Sequence, residues 1–184
     1  MRFQVYLPKK HVVLLSRALV MMIMLMTCGV GLAEVTVPQL KNLQEVSEQA
    51  KTKKLPILLV VSQHECPFCK LLKREVLNPM MISGDYVDQA VIVELLMDDE
   101  ENIIDGQGKS IYPGGIAADY HVWVTPTLLF IDHQGKEVEK RMLGVNTLEM
   151  YGYYLDESLK RALQAVKQGE PYAYKATKKD INGN

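Results

Sequence analysis

Two nearly unbroken apolar runs organise the chain: Ile57 to Val61 within "LPILLVVS", and Ala90 to Met97, "AVIVELLM", interrupted only by Glu94. Runs without alternation predict strands covered on both faces. "TPTLLFID" predicts a third strand, and the turn "DHQG" leads into "KEVEKRML", which alternates like a half-exposed edge strand. Leu40, Leu43, Val46 and Ala50 lie three or four apart and predict a short helix before the first run. "KLLKREVL" has helical spacing between the first two runs and should end or kink at Pro79. Leu148, Tyr151, Leu155, Leu159, Ala162 and Val166 predict the buried stripe of a last helix, headed by Asn146 and Glu149 as a capping box.

Between the second and third strands, Asp98 to Gly115 is polar and Gly-rich and reads as a surface insertion, with "IAADYHV" after it as a short helix or turn. The acids of the insertion lack calcium-loop spacing, which favours a solvated loop. The order is helix, strand, helix, strand, connection, strand, strand, helix. It predicts an α/β fold: a mixed central sheet with helices on both faces.

The first 33 residues stand outside this pattern. They carry Arg2, Lys9, Lys10 and Arg17 and no acid, then an uncharged run from Ala18 to Ala33 that ends in "GVGLA". That run is 16 residues long, short of the ~20 needed to span a bilayer. Gly31 and Ala33 give the small-residue pattern of a cleavage site, so residues 1–33 are expected to be a secretory signal peptide. Cleavage would place the protein in the periplasm or outside the cell. The alternative is a lipid anchor on Cys28, although "LMTC" has Thr27 where a small Gly, Ala or Ser is usual. Residues 34–167 then form one domain, and residues 168–184 a polar, mobile tail.

Four of the 21 basic residues fall in the leader, so the remainder carries 17 against 22 acids and is net acidic. That balance argues against a nucleic-acid partner. Only Cys66 and Cys69 remain of the three cysteines, so this is no disulfide scaffold.

Cys66 and Cys69 lie between a buried strand and a helix in "VSQHECPFCKLLKREV". At the helix start, free N–H groups and the dipole favour a thiolate on Cys66 and lower its pKa from the free value of ~8.5. Pro67 suits the first turn. Cys69 follows one turn later, shielded by the helix, so Cys66 alone is expected to face solvent at the helix start. A zinc clip wants four ligands, and His64 makes only three with the cysteines; copper handling through soft thiolates stays open as an alternative. A purely structural disulfide would close too short a loop to stabilise much.

"CPFC" after "LPILLVV", with "VTPTLLF" some sixty residues later and then Gly144, resembles the thioredoxin superfamily over about Leu40 to Val166. With the leader and the central insertion, it is most similar to periplasmic thioredoxin-related proteins of the SoxW type. The resemblance implies a thioredoxin-like fold and a protein-disulfide oxidoreductase with no cofactor. Cys66 would be the nucleophile and Cys69 the resolving thiol. Pro126 would be a cis-proline, and Thr125 before it would offer its backbone to an extended substrate segment.

It also implies protein partners with disulfides or thiols, a membrane electron donor, and a monomer. The chain departs from plain thioredoxin at Val60, where the family often has a buried acid. Glu94 on the neighbouring strand could substitute, though the simpler expectation is that it points to solvent. Glu65 opposes a thiolate on Cys66 and a protonated His64 favours it. Trp123, beside the proline segment, would either line the substrate groove or pack. Glu65 tips the expected direction toward reduction.

Overall fold

The computed structural model describes residues 36–169 and 177–182. The expected signal peptide and Cys28 lie outside the described residues.

The first helix, α1, runs Leu43–Lys53 and not from Leu40. Asn42 is extended and its side chain accepts from the Glu45 N–H, a cap that stops the helix propagating backward. Leu40 instead belongs to an extended segment: its N–H donates to the Glu94 carbonyl, and the Glu94 N–H donates to Pro38.

β1, Ile57–Ser62, is buried along its whole length, and β2, Val91–Leu96, along all but its last residue. Between them, α2 spans Pro67–Leu72, continues as a π-helical turn through Lys73–Leu77, and passes into α3, Asn78–Ser83. Pro79 therefore does not end the helix; it takes the second position of α3, just after the π turn. Proline cannot donate to a carbonyl four residues back. The wide turn precedes it, with the Asn78 N–H reaching Lys73, five residues back.

Part of the expected insertion loop is ordered as a small hairpin of β3, Ile103–Ile104, and β4, Ser110–Ile111. Asp105 holds its turn by accepting from the N–H groups of Gln107 and Lys109. α4 begins inside the segment read as loop, at Pro113, and ends at Asp119. β5, Thr127–Ile131, and β6, Glu137–Leu143, follow as an antiparallel pair. α5, Leu148–Gln168, is capped at Thr147 with no side-chain bond, so the Asn146–Glu149 box does not form. The helix starts one residue later than that box requires. Of the tail, Lys178–Asn182 forms a short helix, α6, tied to the domain where the Trp123 indole N–H donates to the Asp180 carbonyl at 2.8 Å.

The main sheet has the order β2-β1-β5-β6, with β1 and β2 parallel and the other pairs antiparallel. Alternate residues face opposite ways. Leu58, Val60, Leu128 and Phe130 pack under α2, α3 and α5. Leu59, Val61, Leu129 and Ile131 pack with Leu43 and Ala50 of α1 and Ile116 and Ala117 of α4. Helices cover both faces, which is why the strands read as apolar runs and not as alternation. The directions of the strands bring the end of β1, the start of β5 and the end of β6 to one edge: Val61 pairs with Thr127, and Thr127 with Leu143.

Candidate active site

At that edge Cys66 is the N-cap of α2, in extended conformation, and its sulfur accepts from the Cys69 N–H at 3.1 Å. Pro67 takes the first helical position, where no N–H partner is lost. Cys66 and Cys69 are joined in a disulfide with an S–S distance of 2.03 Å. The expectation that Cys66 stands open to solvent is corrected: it is 6% exposed, against 2% for Cys69. Thr125 leans over it, with its hydroxyl 3.5 Å from the Cys66 sulfur. The difference between the two cysteines thus lies in hydrogen bonding at the helix start more than in exposure.

The Thr125–Pro126 peptide is cis. The Thr125 hydroxyl donates to the Gln63 side-chain oxygen at 2.9 Å. The Pro126 carbonyl accepts from the Gly144 N–H at 2.8 Å. Gly144 has φ +62°, a left-handed conformation that glycine adopts without strain. Beside it opens a cleft of about 240 Å³ lined by Met142, Leu143, Gly144, Thr147 and Tyr154.

The polar neighbours of the cysteines are each engaged. His64 turns to Asp98, with its ring Nδ1 3.0 Å from the carboxylate and its backbone N–H donating to the same group. Glu65 is almost fully exposed and lies 3.4 Å from the Lys70 ammonium. Each is therefore one half of a pair.

Glu94 does not point to solvent. It is 5% exposed, lies opposite Val60 in the β1–β2 register, and faces the helix that carries the cysteines. The Lys73 ammonium sits 2.8 Å from one of its oxygens and 3.1 Å from the other. The Ser62 hydroxyl donates to the first of these. Lys73 comes down from the helix, one turn after Cys69, and this is what allows the charge to be buried. Sequence reasoning missed Ser62, Lys73, Gln63 and Asp98. Ser62 left a faint signal, as the polar residue that closes an apolar run. Among the described residues, no three His, Cys, Asp or Glu side chains gather so as to hold a metal ion.

The site thus sets a CxxC pair at a helix start, facing a proline loop, at one edge of a buried four-stranded sheet. The family model for the thioredoxin-like domain matches residues 43–167, and the chain belongs to that family. Among solved structures it is similar to a DsbH oxidoreductase, with 22% identity, a TM-score of 0.49, and coverage of 74% of this chain and 94% of that one. Thioredoxin O2 from Arabidopsis thaliana, in its oxidised state, has 16% identity, a TM-score of 0.47 and coverage of 68% and 96%. Oxidised mitochondrial thioredoxin 3 from Saccharomyces cerevisiae has 18% identity, a TM-score of 0.46 and coverage of 67% and 93%. No curated protein matches the chain. Membership in the family together with the close Cys66–Cys69 pair suggests a thiol–disulfide oxidoreductase.

Proposed function

We propose that the protein is an exported thioredoxin-like reductase of the SoxW type, passing electrons to protein disulfides in the periplasm through Cys66 and Cys69. The observation that carries this is the Cys66 sulfur capping α2, with the Cys69 N–H directed at it. The dithiol form reacts as follows. The Cys66 thiolate attacks one sulfur of a substrate disulfide, and the other substrate sulfur leaves as a thiolate and takes a proton. Cys69, deprotonated, then attacks Cys66 in the mixed disulfide. The second substrate sulfur departs as a thiol, the substrate has gained two electrons, and Cys66–Cys69 is oxidised.

The substrate segment lies along Thr125 and Pro126 as an added extended strand. The cleft beside Gly144 then takes an apolar side chain that flanks the reacting cysteine. Glu94 acts from below. A carboxylate buried under the helix disfavours a second negative charge on the sulfurs, which together with Glu65 supports the reducing direction. A membrane donor restores the dithiol. The leader directs export, with the mature chain beginning near Glu34.

The test is the reduction potential of the pair in glutathione buffers, with insulin reduction alongside. A value near ~−270 mV supports a reductase, and one near ~−120 mV marks an oxidant. Cys69→Ser should trap a mixed disulfide with substrate and Cys66→Ser should not. Trapping by both or by neither removes the proposed roles.

A further inference from the structure

The Thr125 hydroxyl has one proton and two acceptors in reach: the Gln63 oxygen at 2.9 Å and the Cys66 sulfur at 3.5 Å. A hydroxyl donates once. In the disulfide form the sulfur is a weak acceptor and the amide oxygen holds the proton. Once Cys66 is a thiolate, the sulfur becomes a charged acceptor, and charge-assisted bonds are the stronger ones. Gln63 then competes with the thiolate for that proton.

We infer that Gln63 is a positioning residue that sets the redox balance of the Cys66–Cys69 pair by withholding the Thr125 hydroxyl from the Cys66 thiolate. The inference rests on the oxidoreductase function proposed above and deepens it. Whatever stabilises the thiolate stabilises the dithiol form and makes the protein a stronger oxidant. By holding the proton, Gln63 leaves the thiolate less stabilised and keeps the pair reducing. Gln63 is exposed and belongs to neither apolar core, so replacing it leaves the fold intact. The other polar pairs around the cysteines stay as they are: His64 with Asp98, Glu65 with Lys70, and Glu94 with Lys73.

The experiment is a two-by-two comparison of Gln63→Met in the native chain and in a Thr125→Val background, each equilibrated with glutathione. Methionine has the same reach and no amide oxygen. In the native background, Gln63→Met should shift the equilibrium toward the dithiol about fivefold, which corresponds to a potential higher by about 20 mV at about 30 mV per tenfold. The pH midpoint of Cys66 alkylation should fall. In the Thr125→Val background the same substitution should leave both readings unchanged, because there is no proton to release. An equal effect in both backgrounds, no effect in the native one, or a shift toward the disulfide overturns the inference.

The two claims fail separately. If the pair equilibrates with glutathione and responds to Gln63 but never reduces insulin, the reductase falls and the coupling stands. If insulin is reduced and Gln63 is silent, the coupling falls alone.

Discussion

Each edge strand of the sheet carries an ionic group that the fold has buried, and the two are built differently. On β6, Arg141 is fully enclosed. Its Nε and Nη2 both bind the Glu137 carboxylate, and its Nη1 donates to the Tyr120 carbonyl at 2.8 Å. Tyr120 in turn gives its hydroxyl to Gly135, and burial, reinforced by the nearby Glu137 charge, raises that hydroxyl above its ordinary pKa. On β2, Glu94 is equally deep, but its partner Lys73 keeps 28% of its side chain in solvent.

The guanidinium is a fixed fork that staples the end of α4 to the sheet, and its partners are Glu137 and Tyr120, not the cysteines. The ammonium is a flexible point charge beneath the helix that holds them. The contrast separates a pair whose work is architecture from one to which the proposed function gives electrostatic work.

Breaking the first pair should have the largest effect. Arg141→Met leaves Glu137 and the Tyr120 carbonyl without their donor, and losing one member of a buried pair costs about 3–5 kcal/mol. Urea unfolding should register that loss while the reduction potential of the cysteines stays unchanged. A shift in potential would show that the two edges are not independent.

Glu94→Gln should do the reverse. Lys73 can hydrate, so the stability loss should be smaller, about 1–2 kcal/mol. With the carboxylate charge gone and the Lys73 charge retained, the thiolates gain stability. The glutathione equilibrium should then move a few-fold toward the dithiol. A large stability loss with an unmoved equilibrium would make Glu94 merely structural, like Glu137.

The smallest effect marks the solvent limit of the same comparison. Asp105 is only partly exposed, and hydrogen bonds led by the Lys109 N–H lower its pKa below the ordinary 3.8. A depressed acid stabilises the fold above its unfolded pKa, and that contribution is lost as pH falls through the folded value. Asp105→Ala should therefore lower Tm slightly at neutral pH, and the difference from the native chain should vanish in acid. A difference that persisted at low pH would trace the loss to something other than the carboxylate charge.

The sequence made the skeleton of this site readable because each part of it is local. A buried strand shows as an uninterrupted run, and the CxxC spacing fixes two sulfurs on one helical turn. Long-range pairing was not readable. Glu94 looked like a solvent-facing charge because its partner lies 21 residues away on a helix whose height above the sheet no periodicity encodes.

The exposure of Cys66 was misjudged for a similar reason: the residue covering it, Thr125, is 59 positions distant. Pro79 looked like a helix end because the rule for proline assumes a regular helix, and a π turn supplies a different hydrogen-bond register. Gln63 left no trace at all, since a single polar residue in a loop has no pattern to belong to.

Trp123 is the sole tryptophan of the chain, and its place has an optical consequence. The indole is half exposed, two residues before Thr125, and its N–H is held by a backbone carbonyl of the C-terminal helix. Indole emission responds to polarity and to nearby sulfur. The molecule thus contains its own fluorophore two residues before the threonine that reaches the Cys66 sulfur, excitable without interference from a second tryptophan. One emission band can follow release of the tail and, in a separate titration with reductant, the opening of the Cys66–Cys69 bond. No dye has to be attached near the cysteines themselves.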